Sequence, residues 1–209
     1  MESHYKNALE QIIRFLENLE KSKGIKYYLV GGILVNLYSD FRITRDIDIA
    51  LDLSSSDIDI KSYINLVERN NFFPYQDWHT TKLLAEETKI IQFLDKSETI
   101  RYDNHLIIIQ SENKFKKIGP LALQRRIREK IFGIKCWVES KEDFIISKLI
   151  FGGWQDYADV LGCWMRFKEE LDVSYLEKSC KDLKVYKELL LLKSGIDDPD
   201  EYFEKLNNY

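Results

Sequence analysis

Aspartates occupy three of the four even positions in the segment 46–52, and isoleucine or leucine fills the odd positions. Side chains of an extended strand alternate between the two faces of a sheet, so the aspartates are predicted to share one face. At about 3.3 Å per residue, the Cα atoms of Asp46 and Asp48 lie roughly 6–7 Å apart. Two carboxylates at that separation can reach one hydrated divalent cation, and Mg²⁺ at a phosphate centre typically uses such oxygen ligands.

The same alternation is also the ordinary pattern of a half-exposed strand, so the acids alone do not identify a metal site. A second motif lies upstream, where the short apolar run Tyr27 to Val30 ends at Gly31-Gly32 and apolar residues at helical spacing follow. Adjacent glycines let backbone N–H groups approach a ligand, and the start of a helix favours an anion such as phosphate. The two motifs together predict a centre that binds a metal ion and a phosphate group.

The residues Gly31-Gly32, the segment 42–45 and Asp46-Ile-Asp48-Ile resemble the signature of the DNA polymerase β-type nucleotidyltransferase superfamily. The resemblance implies an α/β (α+β) chain with the minimal nucleotidyltransferase fold, a mixed sheet flanked by helices. It also implies that Asp46 and Asp48 are catalytic ligands of two Mg²⁺ ions. By the same resemblance, Gly31 and Gly32 hold the triphosphate of an NTP substrate, and Arg42 and Thr44 are further nucleotide-binding candidates.

A third carboxylate on a neighbouring strand completes the site in that superfamily. Asp103 lies just before an apolar run, as the third acid does there, and is therefore the expected catalytic and metal-binding residue. Asp95 is the competing residue, although its turn-like neighbours favour a plain loop role. His105 lies two residues beyond Asp103 and shares its face if the strand is regular, as a surface residue or as a contact to substrate.

From Ser140 onward the pattern is helical, which predicts a nucleotidyltransferase domain over residues 1–139 and a C-terminal helical region over 140–209. Lys148 lies among apolar residues, where it either extends from a core helix to solvent or reaches a triphosphate as a nucleotide-binding residue. Together with Asp156 and Asp159, it resembles the C-terminal signature of the abortive-infection (AbiE-type) nucleotidyltransferase toxins. The two acids are otherwise explained as an N-cap and an acidic first turn.

Four basic residues cluster within a few positions of an otherwise acidic chain: Arg125, Arg126, Arg128 and Lys130. Such a run is usually a solvated face. Beside a catalytic cleft, however, the arginines could contact the phosphates of an RNA acceptor. With a formal net charge of −4 and a pI near 5.6, the chain has no general attraction to nucleic acid, so an RNA partner would need this local patch.

Composition sets the remaining limits. Hydrophobic residues make up 44% of the 209 positions, which is enough for a core and argues against disorder. Three widely spaced cysteines predict free, buried thiols in a reducing compartment. No apolar stretch approaches the ~20 residues of a membrane span, so a cytoplasmic protein without a membrane partner is expected.

Periodicity and turn residues also predict the order of the elements. We expect a covering helix over 3–22, a helix over 58–67 and strands over 72–77, 89–94, 99–110 and 134–138, with a hairpin turn at 95–98.

Two functions follow from these expectations. The first is a Mg²⁺-dependent nucleotidyltransferase that moves a nucleotidyl group from an NTP to a hydroxyl on RNA, tRNA or protein. As a toxin–antitoxin or phage-defence component, such an enzyme would have a cognate antitoxin or partner protein. The second is a binding or antitoxin module that uses this fold with little or no catalysis, since a fold alone does not establish activity.

Overall fold

The computed structural model of the chain describes residues 2–40, 42, 44–108 and 114–208. Within these ranges, a seven-stranded mixed sheet has the strand order β3-β4-β5-β2-β1-β7-β6. Its strands are β1 (Lys26–Val30), β2 (Asp46–Asp52), β3 (Phe73–Pro74), β4 (Ile90–Leu94), β5 (Arg101–Leu106), β6 (Ile127–Ile131) and β7 (Ile134–Val138). The central strand β2 pairs antiparallel with β1 and parallel with β5, so both neighbours of the acidic strand are fixed by the ladder.

Helices cover the sheet and form the whole described C-terminal part. They are α1 (Glu2–Lys23), α2 (Val35–Tyr38), α3 (Ile60–Arg69), α4 (Trp78–Thr88), α5 (Lys114–Arg125), α6 (Lys141–Phe151), α7 (Trp154–Phe167), α8 (Val173–Asp182), α9 (Tyr186–Lys193) and α10 (Pro199–Asn207). None of those in the described ranges combines the length and the apolar run that crossing a lipid bilayer would require.

The predicted fold class, an α/β chain with a mixed sheet flanked by helices and a helical C-terminal part, is confirmed. The predicted boundary at residue 139 falls between β7 and α6. Buried apolar side chains on both sides of it nevertheless belong to one core cluster, which includes Leu29 of β1 and Ile146 of α6. The division into two domains therefore stays a prediction.

The two faces of β2 have different neighbours, as its alternation predicts. Ile47 and Ile49 are completely buried in the main core. On the other face, Ala50 packs with Tyr28 of β1 and Ala122 of α5 in a second, small cluster. Helix α5 therefore covers that face at the Ala50 end of the strand, while the Asp48 side chain keeps 23% of its surface exposed.

Several predicted elements shift in the structure. The second long helix begins at Ile60 rather than 58, because the Asp59 side chain accepts a 2.7 Å hydrogen bond from the backbone N–H of Ser62. The strand predicted over 72–77 is only Phe73–Pro74. Helix α4, which follows it, was not predicted, although the Asp77 carboxylate caps its start by accepting from the N–H of Thr80. The aromatic residues of this segment favoured a strand.

Two further predictions concern β5 and the cysteines. The strand β5 ends at Leu106, and the last two residues of the strand predicted over 99–110 lie outside the described residues. Cys136, Cys163 and Cys180 are all unpaired and buried, which confirms the predicted free thiols. Burial raises the pKa of each thiol to about 12, so these cysteines are packing residues rather than nucleophiles.

Candidate active site

One row of the sheet brings together the side chains that the sequence singled out. Across four adjacent strands, Val30 of β1 lies opposite Asp48 of β2, Asp48 opposite Asp103 of β5, and Asp103 opposite Gln92 of β4. Directly opposed residues of a sheet project from the same face. Asp103 therefore shares a face with Asp48 and Asp46, in the arrangement expected for the third acid. The catalytic and metal-binding roles of the three residues stay predictions.

A single arginine bridges two of these carboxylates. The Arg101 Nη2 atom lies 2.8 Å from Asp46 Oδ2, and its Nε atom lies 2.9 Å from Asp103 Oδ1. Arg101 is the partner of Asp46 across the β2–β5 ladder, so strand register sets this contact. Sequence reasoning did not select Arg101. Its position two residues before Asp103, on the same strand face, was the available signal.

Asp103 and Asp48 have further polar neighbours. The side-chain amide of Gln92 donates to Asp103 Oδ1 at 3.1 Å, and His105 Nε2 lies 3.2 Å from Asp48 Oδ1. Burial raises the pKa of the Asp103 carboxyl and the charge of Asp48 raises it further, while Arg101 opposes both effects. A carboxylate with a raised pKa is a better proton acceptor than an ordinary aspartate.

We name Gly31-Gly32 the glycine turn and the residues Asp46, Asp48 and Asp103 the carboxylate row. The glycine turn lies against the carboxylate row. Gly31 has a φ of 70°, and a Cβ atom at this position would lie 2.5 Å from Asp48 Oδ2. A Cβ atom at Gly32 would lie 2.7 Å from Thr44 Cγ2. A side chain at Gly31 or Gly32 would therefore displace Asp48 or Thr44, and Gly31 in addition uses a backbone conformation that other residues rarely adopt. The predicted helix after the turn begins as a 3-10 segment, Gly31–Leu34, before α2.

Thr44 and the backbone of Asp46 are held by the N-terminal helix. The Tyr5 hydroxyl donates to the carbonyl oxygen of Asp46 at 2.8 Å and lies 2.7 Å from Thr44 Oγ1. Burial raises the pKa of Tyr5, so this phenol remains a protonated donor. Sequence reasoning missed Tyr5, because its position matched only the apolar face of a covering helix.

Arg42 and Lys148 form a second charged cluster with two acids of α7. The Arg42 Nε and Nη2 atoms donate to the two carboxylate oxygens of Asp159 at 3.1 and 3.0 Å. Lys148 Nζ lies 2.8 Å from Asp159 Oδ2 and 2.7 Å from Asp156 Oδ1. Burial lowers the pKa of Lys148, but its bonds to the two carboxylates outweigh that effect and leave the pKa raised. We name these four residues the interhelix ion network.

This network borders the glycine turn. The Arg42 Nη2 atom lies 3.6 Å from the place that a Cβ atom of Gly32 would occupy. The side chain of Lys148 is only 8% exposed, so it pairs within the protein rather than extending into solvent. The N-cap of α7 is Gly153 rather than Asp156, and both Asp156 and Asp159 neutralise cations beside the turn.

A buried carboxyl group that sequence reasoning missed lies behind the turn. The Glu139 backbone N–H donates to the carbonyl oxygen of Leu29 at 3.2 Å, which holds the end of β7 beside β1. Burial raises the pKa of Glu139 well above its usual range, and the charge of Asp143 adds to this effect. Lys148 and the Ser147 hydroxyl oppose it. Glu139 therefore retains its proton to a higher pH than an ordinary glutamate.

Two other aspartates have structural roles in turns. The Asp95 carboxylate accepts hydrogen bonds from the backbone N–H groups of Ser97, Thr99 and Ile100 at 3.2, 2.7 and 2.8 Å. Asp95 therefore organises the β4–β5 hairpin, in agreement with its turn-like sequence neighbours. Asp52, on the same strand as Asp46, accepts from the N–H of Ser54 at 2.9 Å and also closes a loop.

The predicted basic run does not form one open basic surface. Arg125 lies beside Glu142 and Asp143 of α6, with its guanidinium 3.7 Å from the Tyr175 ring centroid. Arg126 and Arg128 turn to the opposite side, where they pair with two acids of α1, Glu20 and Glu17 respectively. Trp137 lies under both guanidinium groups. The three arginines join helices and strands to one another.

The residues present suit a divalent cation. Asp46, Asp48 and Asp103 offer carboxylate oxygens from adjacent strands, which is the donor chemistry that Mg²⁺ prefers. In the described part of the chain, however, no three potential ligand side chains already converge on one point. The Arg101 guanidinium supplies the positive charge between Asp46 and Asp103 and occupies these two members of the donor set.

Comparisons with known proteins give structural neighbours only. No family model matches the chain, and no curated protein matches it either. The chain is similar to the lincomycin-bound structure of the lincosamide antibiotic adenylyltransferase LnuA, with a TM-score of 0.44 and 17% identity over 74% of this chain and 94% of that one. It is also similar to an antigenic nucleotidyltransferase-like protein from Paracoccidioides brasiliensis, with a TM-score of 0.40 and 17% identity over 87% and 93% of the two chains.

Proposed function

We propose that this protein is a Mg²⁺-dependent nucleotidyltransferase of the DNA polymerase β type, which transfers a nucleotidyl group from an NTP to a hydroxyl. The observation that supports it most is the row in which Asp48 and Asp103 face each other beside the glycine turn. Three carboxylates on one sheet face, next to a turn without side chains, combine a cation site with room for a phosphate chain.

The triphosphate would lie along the glycine turn. Gly31 and Gly32 would allow the backbone to approach the phosphates, and Thr44, whose methyl group lies beside Gly32, would line the same space. Arg42 and Lys148 would neutralise the β- and γ-phosphates, because the interhelix ion network borders the turn. Phosphate binding would then exchange part of the Asp159 pairing for pairing with the nucleotide.

The transfer itself is an in-line displacement at the α-phosphorus. The acceptor oxygen forms a bond to phosphorus, the bond to the β-bridging oxygen breaks, and pyrophosphate leaves with that electron pair. The acceptor proton passes to the Asp103 carboxylate, which lies opposite Asp48 on the adjacent strand. Two Mg²⁺ ions, when bound by Asp46, Asp48 and Asp103, would supply charge neutralisation at the phosphates and activation of the acceptor oxygen.

The decisive experiment compares Asp48→Asn with Asp57→Asn, a carboxyl-to-amide change at an exposed loop position. We expect Asp48→Asn to abolish Mg²⁺-dependent NTP binding and transfer, while Asp57→Asn leaves both unchanged. Removing a charge that faces like charges should not lower the melting temperature in metal-free buffer. Nucleotide binding that is equal in both variants, or a marked loss of stability in Asp48→Asn, would contradict the proposal.

A second candidate is a binding module with the same fold and little catalysis. The ion pairs of Arg101 with Asp46 and Asp103 favour it, because they occupy two of the three proposed metal ligands. Isothermal titration with Mg²⁺ and each NTP, followed by assays for pyrophosphate release, separates the two. Nucleotide binding without pyrophosphate release would support the binding module.

The finer kinship that we propose is with the AbiE-type nucleotidyltransferase toxins, together with a cognate antitoxin. The contacts of Lys148 with Asp156 and Asp159 support it, because these are the C-terminal residues on which that resemblance depends. Induced expression in a bacterial host, with Asp48→Asn as the control, provides the test. Growth arrest that requires Asp48 is the expected result, and equal growth of both strains would remove the toxin role.

A further inference from the structure

An open cleft adjoins the far end of the carboxylate row. It lies beside β4 and α4, and its lining includes Tyr75, Thr81, Leu84, Thr88, Ile90 and Gln92. Gln92 belongs to both places, since it lines the cleft and its amide donates to Asp103. At the same side, the Arg101 guanidinium lies 5.6 Å from the centroid of the Tyr75 ring. A molecule in the cleft would therefore be next to Asp103.

The order of the strands places this cleft opposite the glycine turn. Val30, which precedes Gly31, stands at one end of the row, and Gln92 stands at the other. With about 4.8 Å between neighbouring strands, the two ends are roughly 14 Å apart. Asp48 and Asp103 occupy the middle of this line.

In-line displacement needs the attacking and leaving oxygens on opposite sides of phosphorus. If the triphosphate extends from the carboxylates toward the glycine turn, the acceptor must approach from the β4 side, where the cleft is. We propose that this cleft binds the acceptor, and that the acceptor is a small, uncharged molecule with a hydroxyl group and a partly apolar body. This inference rests on the proposed nucleotidyl transfer at the same site.

The lining determines the acceptor chemistry. Among the described residues that line the cleft, none carries a charge. Threonine, tyrosine and glutamine side chains provide hydrogen bonds, and Leu84 and Ile90 provide apolar surface, a mixture that suits a small uncharged ligand. The cation at this side, Arg101, is already paired with Asp46 and Asp103. The arginines of the basic run lie toward the other edge of the sheet, near β6 and β7, and are paired with acids.

At this site the acceptor hydroxyl gives its proton to Asp103, its oxygen bonds to the α-phosphorus and pyrophosphate departs toward the glycine turn. Gln92 positions Asp103 through their 3.1 Å hydrogen bond and marks the boundary between cleft and reacting centre. The acceptor thus needs only one reacting hydroxyl near Gln92, while its remaining surface contacts the lining of α4.

Two adjacent leucines of α4 provide a matched test. Leu84 lines the cleft and Leu83 does not, although both are exposed, with 42% and 59% of their surface accessible. The probe is phenyl β-D-glucopyranoside, which is uncharged, bears hydroxyls and has one apolar ring. Phenyl phosphate is the charged comparison. Ligand-observed NMR on the full chain measures both affinities.

We expect the glucoside to bind the wild type and Leu83→Glu equally, and Leu84→Glu about tenfold more weakly, with phenyl phosphate weaker throughout. The proposal is overturned if phenyl phosphate binds as tightly as the glucoside, if the two variants bind the glucoside alike, or if the glucoside does not bind. Labelling of bulk tRNA from radioactive NTP at the same rate by the wild type and Leu84→Glu would also overturn it, in favour of an RNA acceptor.

If the proposed nucleotidyl transfer is wrong, the results differ from those expected when only the acceptor class is wrong. In that case the wild type shows no Mg²⁺-dependent NTP binding, whether or not the glucoside binds. The cleft is then not an acceptor site either. If NTP binding is intact and only the glucoside results fail, nucleotidyl transfer stands and the assigned acceptor class is wrong.

Discussion

The carboxylate row and the interhelix ion network differ in charge balance and in burial. In the network, two cations, Arg42 and Lys148, meet two carboxylates, and Asp159 keeps only 2% of its side chain exposed. In the row, one arginine pairs with two of the three carboxylates, Asp46 and Asp103, and two of the three are more than a fifth exposed. Buried charges must be paired, whereas half-exposed ones tolerate an excess of one sign. The excess negative charge of the row is what a divalent cation would neutralise.

Breaking the balanced network should have the largest effect on stability. Asp159→Asn removes a buried carboxylate that pairs with both Arg42 and Lys148, and we expect it to lower the free energy of unfolding by about 3–5 kcal/mol. The control is Asp156→Asn, since Asp156 is 26% exposed and, within the described ranges, has Lys148 as its one ion-pair partner and accepts from the Gly153 N–H. Urea denaturation measures both. Equal losses would show that burial does not distinguish the two acids.

Glu139 tests what happens to a buried acid that forms no ion pair with the described residues. Its folded pKa is raised, so above a pH of about 4.5 the unfolded chain releases this proton while the folded protein retains it. The contribution of Glu139 to the free energy of unfolding is therefore highest below that pH. It falls by about 1.4 kcal/mol per pH unit until the folded pKa is reached. Glu139→Gln should lack this loss, so the stability of the variant relative to the wild type should rise as the pH increases from about 4.5 toward the folded pKa of Glu139. Parallel denaturation curves across this range would contradict the assignment.

Gly31 tests how the turn positions the row. Gly31→Ala strains a φ of 70° and sets a Cβ atom 2.5 Å from Asp48 Oδ2, so we expect a loss of about 1–2 kcal/mol and a displaced carboxylate. Gly195→Ala is the control, because Gly195 has a φ of 85° and no neighbouring atom within 4 Å of the new Cβ. Both variants should lose similar stability, but only Gly31→Ala should weaken Mg²⁺ binding. Unchanged Mg²⁺ affinity in Gly31→Ala would separate the turn from the site.

The smallest stability effect is expected at Arg101, where the row would gain a cation site. Arg101→Gln removes ion pairs to Asp46 and Asp103 that are about one third exposed on the arginine side, so it should cost less than about 1 kcal/mol. It should also strengthen Mn²⁺ binding in calorimetry, because the guanidinium no longer competes. Arg45→Gln, an exposed position next to Asp46, controls for the change in net charge. Weaker Mn²⁺ binding in Arg101→Gln would show that Arg101 supports the cation site.

Local patterns predicted the parts of this protein that local forces determine. The alternation along 46–52 placed Asp46 and Asp48 on one face, because side chains of any strand alternate. The polar segment 95–98 predicted a hairpin turn, and Asp95 holds it through backbone N–H groups only a few residues away. The same local logic could have found α4 through its cap, Asp77, which the strand predicted over 72–77 included.

Tertiary structure alone decided which charges meet. Arg42 and Asp159 are 117 positions apart, and their pairing follows from how α7 packs beside the glycine turn. The run of arginines predicted a basic patch, but Arg125 faces α6 while Arg126 and Arg128 face α1, since a helix end and a strand point their side chains in different directions. Sequence periodicity determines the face of one element. The partner of a charge depends on which elements the buried core brings into contact.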